Sequence, residues 1–343
     1  MFEKTDSTES WSAERENLLQ KKITELGLKL EGTRLEKLVV RLYEDLERTG
    51  IKFKPKVYLS DEWGCPEAIP IIGIPFYLAD ERLSRIEDEI MEGIEAESDE
   101  EILSYLRHEA GHAFNYAYKL YETEEWHRIF GPYSRPYRED YRPNPFSRNF
   151  VRHIPGWYAQ KHPDEDFAET FAVWITPDSN WQKTYEGWGC YQKLLYVDRV
   201  ANQFGTAEPL VTAEDYDVTD DLSGSIGEHY EDFREEPVDV PAYFDGDLKD
   251  IFKGTVPPGK EEEWRTADQF LTKHRRELVR NIHYWTGLNE GTVRSLIQHF
   301  IERCNLLGLH VNPERDCELL MEMTAYATTL SMNKLYKRDF IIK

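Results

Sequence analysis

Apolar residues recur at helical spacing toward both ends of the chain, with strand-like stretches confined to residues 54–78. Leu18, Leu19, Ile23 and Leu26, then Leu35, Leu38, Val39 and Leu42, predict two helices over 12–48. Runs rich in Val, Ile, Tyr and Phe predict strands at Lys54–Ser60 and Ile69–Leu78, and Pro70, Gly73 and Pro75 mark the second as an edge strand. A helix with an acidic start is expected near 79–92. Ser98 followed by Glu101 is a capping-box pair, and it opens a helix over 98–121. Leu103, Leu106, Ala110, Ala113 and Ala117 give that helix a narrow apolar face of mostly small residues. Five prolines between Pro132 and Pro155 predict irregular chain over 124–162. Pro163 in the first turn and Pro177 just past the end bracket a helix over 163–176, and another amphipathic helix is expected over 178–203. Helical patterning returns at 261–284, 291–306 and 313–336. The fold class is therefore α+β: a small sheet with an edge strand packed on one helix, largely helical elsewhere, with a helical C-terminal region.

Charge changes this picture in one place. The formal net charge of the 343 residues is -23, which argues against nucleic acid or an anionic membrane as partner. Between 213 and 249, thirteen Asp or Glu face two Lys or Arg, so that stretch supplies almost half of the net charge and reads as a linker or extended arm. The longest apolar run, Ala68–Ala79, contains two prolines and is too short to span a bilayer. No secretory signal pattern opens the chain, and Cys65, Cys190, Cys304 and Cys317 form no CxxC pair. Isolated thiols in a reducing cytoplasm are the expectation, with no cysteine-based zinc site.

The helix over 98–121 carries His108-Glu109-Ala110-Gly111-His112. Four-residue spacing stacks the two imidazoles on one helix face, where their nitrogens can take adjacent corners of a zinc tetrahedron. Glu109 stands beside the first histidine, within reach of a water that it can deprotonate. By itself the motif is also what two surface histidines and a glutamate would give. The missing element is a third ligand, because a catalytic zinc keeps three protein ligands and leaves one corner open. No histidine follows in Tyr116–Glu122, so a carboxylate from a second helix is the remaining common solution. Glu165 and Glu169 lie one turn apart on the 163–176 helix, with Phe167, Phe171 and Ile175 free to pack its other side. One of such a pair can bind metal while the other accepts the second ring N–H of a ligand histidine.

The segments Leu106–Tyr116, Trp157–Gln160 and Asp164–Ala172 together resemble a bacterial family of zinc-binding metallopeptidases, a gluzincin branch with local similarity to the catalytic domain of anthrax lethal factor. The resemblance covers roughly residues 50–205. It implies a zincin-like fold and one Zn2+ held by His108, His112 and Glu165. Glu109 would be the general base, Glu169 the partner of a ligand histidine and Tyr158 the donor to the oxyanion. His153 and His162 flank the same segment and are lesser candidates for the role of Tyr158 or for zinc. Six arginines interleaved with Tyr133, Tyr137 and Tyr141 over 128–152 could form a substrate-binding wall. The Ile69–Leu78 strand could pair with an extended peptide.

The expected organisation is N-terminal helices over 1–49, a metallopeptidase domain over 50–205, the acidic arm over 206–260 and helices over 261–343. The expected function is zinc-dependent hydrolysis of a peptide or protein substrate. Two other readings share the fold: a catalytically silent zinc-binding interaction protein, and a protease specific to a single partner.

Overall fold

The computed structural model describes residues 3–91, 98–138, 141–215, 222–231, 242–253, 256 and 264–340. These form two compact units. The first comprises Met1–Tyr137, Ser147–Ile154 and Tyr158–Arg234, and the second Arg138–Phe146, Pro155–Trp157 and Glu235–Lys343.

The first unit is built around two helices. It begins with α1 (Glu3–Leu19) and α2 (Arg34–Arg48), followed by strands β1 (Lys56–Ser60) and β2 (Ile71–Pro75). Helix α3 (Glu81–Met91) precedes α4 (Asp99–Ala117), then α5 (Glu124–Phe130) and α6 (Pro163–Ile175). Short α7 (Trp181–Thr184), α8 (Tyr191–Phe204) and α9 (Ile226–His229) complete it. Ser98 caps α4 by accepting from Glu101 N–H while the Glu101 side chain accepts from Ser98 N–H, and Asp99, Glu100 and Glu101 lie at the positive end of the helix dipole. Pro163 occupies the first turn of α6, where its missing N–H costs nothing.

Helix α4 runs through the core between α2 and α6. Leu35, Leu38, Leu42 and Leu46 of α2, Leu103, Leu106, Ala110 and Phe114 of α4, and Phe167 and Phe171 of α6 are all buried in one cluster. Phe114 stacks on Phe171 at 5.2 Å between ring centres. Arg107 donates twice to Asp45 Oδ2, at 2.9 and 2.6 Å, an ion pair buried between α4 and α2.

Gly111 is where α4 and α6 come closest. A Cβ there would lie 2.8 Å from Ala168 Cα and 3.0 Å from Ala168 O. Glycine to alanine inside a helix ordinarily stabilises by about 0.5–1 kcal/mol. Here the added methyl meets backbone that cannot rotate away, and overpacking costs about 1–3 kcal/mol. Gly111→Ala is therefore expected to lower the urea midpoint of unfolding; a higher midpoint would show that the helices part freely.

β1 and β2 pair in parallel, with Lys56 opposite Ile71 and Ser60 opposite Pro75. β2 lies against α4. It is not an open edge along its length, because Gly73 N–H donates to Gly64 O at 2.7 Å and the two glycines form an antiparallel bridge. The loop after β1 thus covers the centre of the strand read above as a peptide-pairing edge.

Other departures have local causes. Leu26 and Ile23 fall in a 3-10 turn rather than in the first helix, since Ile23 N–H bonds Gly224 O and Ile226 N–H bonds Lys21 O. Residues 124–130 are helical, because Thr123 caps Trp126 N–H and the first breaking proline comes only at 132. The helix expected over 178–203 splits at Glu186-Gly187-Trp188-Gly189, where Gly187 takes φ +76°. Residues 216–221 and 232–241 of the acidic stretch lie outside the described residues. Among its described residues, Ile226 and Tyr230 are buried in the first unit, and Phe244 and Leu248 in the second.

The second unit contains α10 (Asp245–Ile251), α11 (Ala267–Thr286), α12 (Glu290–Leu307) and α13 (Asp316–Lys337). Two-residue strands β3 (Arg265–Thr266) and β4 (His310–Val311) pair antiparallel. Phe270, Leu278, Ile282, Ile297, Phe300 and Met323 fill its core. Among the described residues no helix is long and apolar enough to cross a membrane.

Candidate metal centre

Where α4 passes α6, His108, His112 and Glu165 are buried side by side, with exposures of 2%, 7% and 5%. His108 Nε2 lies 2.9 Å from Glu165 Oε2, His112 Nε2 lies 3.2 Å from the same oxygen, and the two Nε2 atoms are 3.2 Å apart. Four-residue spacing on α4 stacks the rings, 4.9 Å between centres. Glu165 arrives in the first turn of α6, one residue after Asp164 and one before Asp166.

A buried run of three acidic residues requires partners, and each has its own. Asp164 Oδ1 accepts from Asn115 Nδ2 and Oδ2 accepts from the Tyr116 hydroxyl. Lys193 Nζ donates to Asp166 Oδ2 at 2.6 Å. Burial nevertheless pushes the Asp166 carboxyl up to about 7, Lys193 opposing it. Glu165 faces the histidines.

The surroundings fix how the rings present themselves. His108 Nδ1 lies 2.9 Å from Glu169 Oε1, while Glu169 Oε2 accepts from Ile154 N–H. With the ring proton of His108 on Nδ1, its Nε2 offers a lone pair toward His112 and Glu165. His112 Nδ1 lies 3.0 Å from Asp164 Oδ2, off the line of a good hydrogen bond. Three electron-rich atoms thus converge, an arrangement that calls for a cation or for protons between them.

The electrostatics agree. Burial would push His108 down, but Glu165 and Glu169 outweigh it and hold the ring up at about 9. Burial likewise opposes charge on His112, yet Asp164 and Glu165 raise it well above the ordinary range. Glu165 is also disfavoured as an anion by burial, and the two histidines overcome this to hold it well below the usual carboxylate range. The centre favours an anionic Glu165 and positive charge at its middle.

The donor set fits zinc. Bonds of 2.0–2.1 Å at tetrahedral angles separate neighbouring donors by about 3.3 Å. The three edges of 2.9, 3.2 and 3.2 Å are close to that spacing. His108, His112 and Glu165 are also the group of His, Cys, Asp and Glu whose donor atoms converge among the described residues.

Glu109 is buried beside them, at 6% exposure; burial raises its carboxyl, and His108 and His112 partly offset that. Tyr158 lies with its ring 5.6 Å from that of His108, and burial, with Glu165 beside it, pushes its phenol far up. The two lesser histidines are elsewhere engaged. His162 caps α6 by accepting from Asp164 N–H, and its Nε2 meets Arg135 O at 2.8 Å. His153 Nε2 meets Ser104 O at 2.9 Å, and burial holds that ring down.

Sequence reasoning missed Asp164, Asn115, Tyr116 and Tyr137 as parts of this centre. Asn115 and Tyr116 follow His112 by three and four residues, the spacing that puts them near it on the helix, so a signal existed. Tyr137 carried none beyond its place among Arg and Tyr residues. Its hydroxyl donates to Glu165 Oε1 at 2.7 Å and sits 3.2 Å from that of Tyr158.

A buried His-His-Glu triangle with a second glutamate beside it defines a candidate metal-hydrolase centre. Residues 87–212, which contain all of these side chains, match the model of the family described as "Putative zinc-binding metallo-peptidase". No curated protein and no solved structure matches the chain.

Proposed function

We propose that this protein is a zinc-dependent peptidase that hydrolyses peptide bonds in a peptide or protein substrate, with one ion held by His108, His112 and Glu165. The observation that carries the reading is the triangle of facing donor atoms at zinc-like spacing, with the buried Glu109 beside it. A zinc ion held there supplies Lewis-acid polarisation of the scissile carbonyl and lowers the pKa of a water toward ~7. Glu109 takes a proton from the attacking water and delivers it to the departing amine. Tyr158 turns its O–H toward the carbonyl oxygen as charge gathers there. Glu169 keeps the His108 proton on Nδ1 and the ring in place through the bond between them. Residues 235–343, the bulk of the second unit, lie outside the matched family segment.

Two measurements on the full chain test this. Elemental analysis is expected to find stoichiometric zinc, and incubation with a cell lysate is expected to create new peptide N-termini. A protein that retains zinc but cuts nothing would leave a silent zinc-binding protein as the better account. Glu169→Ala is expected to weaken zinc binding about 10–100-fold, as loss of a ligand's hydrogen-bond partner does elsewhere. Competition against a chelator of known affinity measures this, and unchanged affinity would remove Glu169 from the centre.

A further inference from the structure

We propose that Tyr137 is a positioning residue for this centre: it restrains the outer oxygen of Glu165 and holds the resting hydrogen bond of Tyr158. The proposal rests on the zinc-peptidase reading above. Glu165 uses its two oxygens differently. Oε2 faces both histidine Nε2 atoms, whereas Oε1 accepts from the Tyr137 hydroxyl at 2.7 Å. A phenol has one proton, and an anionic carboxylate can only accept. Tyr137 therefore gives its proton to Glu165, and its lone pair is left to accept from Tyr158, 3.2 Å away. The hydroxyls form a directed chain, Tyr158 to Tyr137 to Glu165.

Two consequences follow. First, an unrestrained Oε1 could swing in as a second donor from Glu165. Two nitrogens, two oxygens and the reacting water would then make five donors around the ion and crowd the corner kept open for that water. The bond from Tyr137 keeps Glu165 to a single facing oxygen. Second, the Tyr158 proton has an acceptor in the resting state that is weaker than a charged carbonyl oxygen, so it is released when such an oxygen forms.

The surroundings hold both phenols together. Lys161, only 8% exposed, places its ammonium 4.5 Å from the Tyr137 ring centre and 5.1 Å from that of Tyr158. The His162 ring, which caps the helix bearing Glu165, lies 5.4 Å from the Tyr137 ring. Tyr137 itself is 49% exposed, so its loss leaves the buried core intact.

The test uses the full chain loaded with Co2+, whose visible absorption reports the number of donors. Tyr137→Phe is expected to bind one Co2+ with a visible band weaker by about two-fold or more, as the freed oxygen joins the ion. Tyr158→Phe, which leaves the Tyr137 bond to Glu165 in place, is expected to keep the wild-type spectrum. In the zinc-loaded protein, Tyr137→Phe is expected to lower kcat about ten-fold with KM little changed. An unchanged Tyr137→Phe spectrum overturns the proposal whatever turnover does, as does a Tyr158→Phe spectrum altered in the same way. Wild-type protein that takes up no cobalt overturns the metal centre itself, and the proposal with it.

Discussion

Replacing Glu109 by glutamine is expected to slow peptide hydrolysis about 10²–10⁴-fold while the metal content stays unchanged. Glutamine keeps the size and shape of the side chain, so α4 should pack as before in a position that is only 6% exposed. What is lost is the ability to take a proton. Burial raises the Glu109 carboxyl, with the histidines pulling it back, which moves the group toward the range where a base is most effective near neutrality. Glu109 is not one of the three facing donors, so the variant should hold zinc as the wild type does. Initial rates on a cleaved peptide, with elemental analysis on the same sample, check both halves. A Glu109→Gln protein with bound zinc and full activity would refute the mechanism.

How much of this centre could be read from sequence depends on the range of the interactions involved. His108 and His112 are set by helical spacing alone, and α4 announces itself through its capping box and apolar stripe. Glu165 and Glu169 were legible as a pair because Pro163 fixes where their helix starts. The approach that joins the pairs is not local. It depends on Gly111 admitting the Ala168 backbone, 57 residues away, and a glycine in a helix does not reveal which neighbour it admits. Tyr137 lies in proline-rich chain without periodicity, so only the folded position of Glu165 singles it out among twenty tyrosines. The acidic stretch shows a different limit. Its composition is that of solvated chain, yet Ile226, Tyr230, Phe244 and Leu248 are buried and anchor its described parts. Composition averages over a window, whereas packing needs only a few apolar anchors.

Removing the metal is the second change with a large expected effect, and it acts on stability as well as on turnover. Without an ion, His108 Nε2, His112 Nε2 and Glu165 Oε2 remain within 2.9–3.2 Å of one another in a buried pocket. Protons can relieve that convergence only in part, because two rings and one carboxylate share it. A ligand that binds the folded state alone stabilises it by about 4 kcal/mol when present at a thousand times its Kd. For a domain of 150–250 residues this is roughly 8–16 °C in Tm. The loss should fall on the transition of the first unit, since α4 and α6 and all three donors lie in it. His112→Ala removes one donor and should abolish the zinc-dependent part of Tm while leaving the chelated protein little changed. Thermal melts with excess zinc and with excess chelator, on wild type and His112→Ala, measure the difference. Identical melts of the wild type in zinc and in chelator would mean that the triangle holds no ion that matters to the fold, and hydrolysis at this site would lose its physical basis.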